Sequence, residues 1–277
     1  MNSESIRVLV AVKTYPTLSS EYNELVCTAG FREDGSWIRI YPVPFRFLQE
    51  KQQYKKWQWI RVKTVKNNKD FRPESYRPYD LENSIQLEDE IPSKNSWKAR
   101  SEFALKHVWN NMTELAKAAQ RDNISLATLK PKEVKNFIWE RTSEEWDHKK
   151  LERILSSLNQ GSLFDTTSRQ GFEIAKKIPF KFSYVFSTED GKERTMMIED
   201  WELGMLYLKM YNKFRNEEVA CEKVKEKYFR TMINGRDLYF FVGTTLKFHK
   251  VNVANPFIII GTYWPPLVKN EELSLFD

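Results

Sequence analysis

Three segments of this chain carry side chains suited to chemistry. Glu199-Asp200-Trp201-Glu202 crowds three carboxylates together, Arg72-Pro73-Glu74-Ser75-Tyr76-Arg77 brackets a loop with two guanidiniums, and His249 follows a strand-like stretch. A carboxylate beside a histidine is a proton-transfer pair, and arginines fork onto phosphate. If the three segments converge in one concave pocket, they suit an enzyme acting on a modified base or nucleotide in DNA. The same carboxylates also suit a plainer role, the acidic first turn of a helix that complements its dipole. His107 and His148 fall elsewhere, one mid-helix and one in a charged run. No Walker loop, dinucleotide-binding glycine pattern, zinc spacing or nucleophilic serine elbow occurs, so the sequence assigns no catalytic residue, metal or cofactor.

A second constellation is basic and aromatic. Residues 51–77 hold nine Lys or Arg against Asp70 and Glu74, a net +7 in a chain whose total is +6. A positive balance gathered in one segment is an electrostatic footprint for polyanions. Side chains alternate across a strand, so in 57–66 Trp57, Trp59, Arg61 and Lys63 share one face, and Gln58, Ile60, Val62 and Thr64 the other. Trp37, Arg39 and Tyr41 repeat the pattern opposite Ile38 and Ile40. Indoles that stack bases beside cations that neutralise phosphate are the working parts of single-strand-binding sheets. The candidate nucleic-acid-binding residues are therefore Trp37, Arg39, Tyr41, Lys55, Lys56, Trp57, Trp59, Arg61, Lys63, Arg72 and Arg77. The alternative is that the indoles pack beneath the helix beginning near Trp97, with the cations reaching the edge. Burial of Arg39 and Arg61 distinguishes the two.

These residues need elements to position them. With 277 residues, 41% hydrophobic and nine tryptophans, the chain builds a real core. No apolar run approaches ~18 residues and no leader pattern precedes the first strand, so a soluble, cytoplasmic protein without membrane contact is expected. Cys27 and Cys221 lie in apolar segments and read as buried thiols. Strands are predicted over 6–13, 25–32, 37–43 and 57–65. The Asp34-Gly35 turn suggests a two-residue hairpin loop pairing Phe31 with Ile38, Ala29 with Ile40 and Gly30 with Arg39. On that register Cys27, Ala29, Phe31, Ile38 and Ile40 face the core together. Residues 67–95 read as a long irregular connection. One helix is predicted from a cap at Ser96 to about Asn123, and another over 143–158. A hairpin is expected over 180–186 and 194–198, two helices over 199–232 broken near Asn216, and two buried strands over 238–245 and 256–264. The fold class is α+β: a β-rich N-terminal half, barrel-like or a twisted antiparallel sheet, with packed helices and a C-terminal α/β portion. Its divisions are 1–95, 96–270 and a tail, 271–277.

The tail ends Glu272-Leu273-Ser274-Leu275-Phe276-Asp277. It resembles the peptide by which bacterial polymerases and repair proteins dock on the replication sliding clamp, with Glu272 in place of the glutamine. The resemblance implies a partner-binding segment, Glu272 to Phe276, extended in an apolar groove. An inner copy, Gln160-Gly161-Ser162-Leu163-Phe164-Asp165, reads as a helix end closed by Gly161. Most of the chain is also similar to a group of bacterial proteins of about this length that share Lys13-Thr14-Tyr15-Pro16, Trp37-Ile38-Arg39-Ile40-Tyr41-Pro42, Ile198-Glu199-Asp200-Trp201-Glu202 and Phe240-Phe241-Val242-Gly243-Thr244-Thr245. That resemblance implies no activity and no site residue. Together the features point to an accessory protein of bacterial DNA transactions, in repair or phage defence, that contacts nucleic acid, single-stranded DNA foremost. A base- or nucleotide-modifying enzyme and a non-catalytic interaction scaffold are the alternatives.

Overall fold

The computed structural model describes residues 3–19, 23–80, 84–143, 145–161 and 174–267. Seven strands form the N-terminal part: β1 (Glu4–Lys13), β2 (Thr17–Ser19), β3 (Asn23–Phe31), β4 (Trp37–Val43), β5 (Gln58–Lys66), β6 (Ser75–Pro78) and β7 (Ile85–Glu90). They pair in the order β1-β3-β4-β6-β5, and β5 returns to β1, so five strands close a barrel, with β2 added on β3 and β7 on β5. The β-branched residues Val8, Val10, Ile38, Ile40, Ile60 and Val62 fill its interior with Phe45 and Tyr54. Closure leaves none of these five strands as a free edge, which suits a sequence rich in Val and Ile.

The first hairpin departs from the expected register. Arg32 N–H donates to Ser36 O (2.8 Å), and Gly35, at φ +80°, donates to Arg32 O (2.9 Å). The loop therefore has three residues, stabilised by the Asp34 carboxylate, which accepts from Ser36 N–H at 2.8 Å. Phe31 pairs with Trp37, Gly30 with Ile38, Ala29 with Arg39 and Thr28 with Ile40. A one-residue slip exchanges the faces. Ile38 and Ile40 still point into the barrel, but Ala29 and Phe31 lie on the outer face with Trp37 and Arg39.

That outer face is covered. The C-terminal part begins with α1 (Lys98–Ala104), β8 (Val108–Trp109), α2 (Met112–Gln120), β9 (Leu126–Leu129), β10 (Glu133–Arg141) and α3 (His148–Gly161). It continues with β11 (Phe180–Ser187), β12 (Glu193–Met197), α4 (Trp201–Phe214), α5 (Glu217–Lys225), β13 (Tyr239–Thr244), α6 (Leu246–Lys250) and β14 (Phe257–Tyr263). Two sheets result, ordered β14-β13-β9-β8 and β10-β11-β12. The hairpin β13–β14 is buried on both faces, as its unbroken apolar runs require. Phe240, Val242 and Ile259 join Phe182, Tyr184, Leu203 and Val224 in one core. On the other face Phe241, Ile258 and Ile260 meet Leu9, Phe31, Trp57 and Trp59 of the barrel.

The α+β class, the second hairpin, the closing strands and the helix break at Asn216 agree with the sequence. Asn216 caps α5 by accepting from Val219 N–H (3.0 Å). The long helix predicted over 96–123 is instead two short ones separated by β8. Ser96 is no cap: Asn95, Ser96 and Trp97 all have positive φ. Asn111 caps α2 by accepting from Glu114 N–H at 3.1 Å, and Val108–Trp109 pairs in parallel with β9. The connection read as irregular contains β6 and β7. The inner copy of the tail motif begins at the end of α3, with 162–165 outside the described residues. Among the described residues no helix is long and apolar enough to cross a membrane.

Gly30 of β3 lies tight against β1, where an added Cβ would lie 2.1 Å from the Leu9 carbonyl oxygen. Gly30→Ala should destabilise the fold by about 3 kcal/mol, because backbone must move. A urea midpoint unchanged from wild type would refute that.

Candidate functional site

The seam between barrel and C-terminal part is polar at one end. Arg39 stands on the outer face of β4, and only 2% of it is exposed. Its Nη1 donates to Ser125 Oγ (2.7 Å) and Ser75 Oγ (3.1 Å), and Nη2 to Ser125 O (3.1 Å). Glu74 holds Ser125 from the far side, accepting from its N–H (2.9 Å) and Oγ (2.6 Å). Among the described residues no carboxylate lies within ion-pair distance of Arg39. Arg72, also buried, is different: Asp70 receives its Nε (2.8 Å) and Nη2 (2.6 Å), and Nη1 donates to Thr244 O. Burial opposes the Asp70 charge, but the Arg72 fork outweighs it and keeps that carboxyl below its ordinary value. Burial first, then Arg72, pulls the Arg39 pKa down.

Both guanidiniums line a cavity of about 250 Å³ with Thr14, Cys27, Tyr41, Glu199, Gly243, Ile258 and Ile260. Exposed Thr17 and half-buried Tyr41, Thr245 and Leu246 mark its mouth. Glu199 has no hydrogen-bond or ion-pair partner for its carboxyl among the described residues, and burial raises its pKa. Burial also raises the Cys27 thiol. Thr17 and Glu199 line in addition an adjoining cavity of about 350 Å³, walled by Tyr15, Trp146, Phe180, Lys177 and Lys181.

The convergence expected of the three chemical segments is therefore partial. Arg72 and Glu199 share the cavity; Arg77, Asp200, Glu202 and His249 do not line it. His249 is buried, with Nε2 at 2.9 Å from Asp122 Oδ1 and Nδ1 at 2.9 Å from Thr244 Oγ1. Asp200 and Glu202 turn to Lys56. Burial disfavours the Lys56 ammonium, yet these two carboxylates more than offset it and its pKa is raised. Glu202 is drawn down to about 2, Lys56 outweighing burial, while burial holds the deeper Asp200 well above its ordinary value.

The indole faces expected to stack bases are occupied. Trp57 and Trp59 are 8% and 7% exposed; Trp57 packs on Tyr263 at 5.2 Å and Trp59 on Phe103 at 5.3 Å. Trp37 is half-buried against Phe31 (4.2 Å) and Phe241 (5.2 Å). The criterion of arginine burial divides: Arg39 is sealed, Arg61 exposed. Strand β7 also answers the positive charge of 51–77, since Glu88 pairs with Arg61 (3.0 Å) and Glu90 with Lys55 (2.6 Å). Lys63 is exposed and lies over Tyr79; Arg77 is half-buried. Residues Glu272 to Phe276 lie outside the described residues. Ser75, Ser125 and Thr244, which frame the site, were missed by sequence reasoning. The usable signal was an arginine set between isoleucines in a strand with no free face.

Residues 4–106 match the family described as "Domain of unknown function (DUF8758)", and 108–277 match "Domain of unknown function (DUF8757)". No curated protein matches the chain. The division at 107 follows α1, and the cavity is built across it: Arg39 and Arg72 come from one side, Glu199 and Gly243 from the other.

Lys13 lies beneath the seam, its Nζ donating to Tyr54 O (3.2 Å) and resting 4.4 Å from the Phe45 ring and 5.3 Å from Trp201. Burial lowers its pKa from 10.5 to about 8. Between those values the unfolded chain binds the proton and the folded chain does not, so stability rises with pH. Relative to Lys13→Met, wild type should gain about 3 kcal/mol from pH 8 to 10.5. Urea titrations of both proteins check this, and parallel curves across that window would contradict it.

Proposed function

This chain belongs to the DUF8757 family, and we propose that it acts on nucleic acid by holding one nucleotide in the cleft between its two parts. The supporting observation is Arg39. A guanidinium removed from water with no carboxylate in direct contact costs several kcal/mol, and a ligand acceptor bound in the cavity would offset that cost. A guanidinium recognises phosphate oxygens and base acceptors with directed N–H bonds. The cavity and its neighbour together have the volume of an ordinary small-molecule site. Exposed Lys51, Lys63 and Lys69 on the barrel remain for contacts with a strand's phosphates. The indoles serve the seam instead.

A catalytic form of the reading is favoured by Glu199. A carboxyl with a raised pKa in a cavity is suited to accept or donate a proton at a bound base. The reading keeps the protein in the cytoplasm, consistent with two unbridged cysteines, as an accessory of DNA repair or phage defence. The 272–276 peptide would carry it to the sliding clamp, and a chain ending at Asn270 should then lose clamp binding while keeping nucleotide binding.

Arg39→Met keeps the volume and removes the charge. It should weaken binding of mononucleotides and single-stranded DNA at least tenfold, measured by calorimetry and fluorescence anisotropy at a temperature where circular dichroism shows the variant folded. Wild type that binds neither at low salt, or a variant that binds as well as wild type, ends the reading.

A further inference from the structure

We infer that the nucleotide held in this cleft is a guanine nucleotide, read by Arg39 and Glu199 from opposite walls; the inference rests on the nucleotide reading above. The cavity presents hydrogen-bonding groups in an unbalanced set. On the barrel side, a guanidinium has five N–H donors. Arg39 places three hydrogen bonds on Ser75 and Ser125 and a further one on the Cys27 sulfur, and Arg72 places three on Asp70 and Thr244, so at least one donor remains on each. Gly243 packs tightly beside Arg39: a Cβ there would meet Ile260 Cδ1 at 2.9 Å and Leu126 Cδ2 at 3.2 Å, with Arg39 Nη2 at 3.6 Å. Arg39 and Arg72 both line the cavity.

On the other side, Glu199 brings two carboxylate oxygens that accept nothing from the described residues. It is not within ion-pair distance of Arg39 or Arg72 across the cavity. A ligand that satisfies both walls must carry an acceptor for a guanidinium and, beside it, two donors for a carboxylate. Guanine has that edge: O6 accepts, while N1–H and the 2-amino group donate in parallel. Adenine and cytosine offer a single exocyclic amino group beside ring acceptors. Uracil and thymine offer one N–H, and hypoxanthine is guanine without the second donor. Ile258, Ile260 and Leu246, with Tyr41 at the mouth, supply the apolar walls that a purine's faces require. A carboxylate covered by a ligand and left unpaired is costly, so an analogue lacking either donor should be rejected strongly.

The test is calorimetric binding of GMP, IMP, AMP, CMP and UMP to the full chain. GMP should bind at least tenfold more tightly than IMP and than the other three. Glu199→Gln should abolish the GMP-over-IMP preference with an unchanged melting temperature, while Arg39→Met weakens every nucleotide. Glu199→Met, checked for folding by circular dichroism, should lose the GMP-over-IMP preference as well and provides a second variant should Glu199→Gln fail to fold. A thymine decamer carrying one guanine separates two sources of the base: tighter binding than GMP marks a base displaced from a strand, and equal binding a free nucleotide, each in keeping with guanine recognition. Equal affinity for all five nucleotides, lost in Arg39→Met, would overturn the guanine assignment and leave the nucleotide reading standing. No binding of any nucleotide would overturn both.

Discussion

The guanidinium of Arg39, buried where the barrel meets the C-terminal sheet, is the constraint around which the structure is arranged. Its donors fix the distance between β4 and the turn before β9 through Ser125, and Glu74 closes that turn from behind. Arg72, forked onto Asp70, reaches Thr244 at the end of β13. Apolar packing is non-directional and would tolerate small slides of one part on the other. These hydrogen bonds do not, because a misplaced buried charge forfeits far more than a shifted methyl group.

The apolar side of the seam supplies the area. Phe241, Tyr263 and Trp57 form a chain of ring contacts across it, and the run from Ile6 to Val12 is hydrophobic at every position except Arg7 because alternate residues face the barrel interior and the seam. Both faces of β1 are thus committed, as are both faces of β13 and β14. The polar end of the seam stays open between them as a cavity. Direction comes from the arginines and cohesion from the rings, and the site lies where the two kinds of contact meet.

Charge tells a similar story. The surplus of positive side chains in 51–77 appears isolated only in one dimension. Folding lays β7 along β5, so Glu88 and Glu90 reach Arg61 and Lys55, and α4 brings Asp200 and Glu202 to Lys56. The acidic stretch that ends the connection is the counter-charge of basic residues that precede it.

Local pattern was enough for the α+β class, for the strands ending in Thr244 and Tyr263, for the hairpin around Gly191 and for the helix break near Asn216, because each depends on near neighbours in the chain: turn residues and apolar period. It also separated Ile38 and Ile40 from Arg39. What it could not fix was what lies against the second face of a strand, since period two distinguishes faces and says nothing of their cover. Trp57 and Trp59 look the same in sequence whether water or Tyr263 and Phe103 lie above them. The slip at Gly35 similarly hinged on one carboxylate, Asp34, accepting Ser36 N–H. Residue type marked Arg39, Arg72 and Glu199 as capable of chemistry; only tertiary structure, by closing a barrel and pressing a distant sheet on it, decided that these three would share a cavity and that Arg77 and His249 would stay outside.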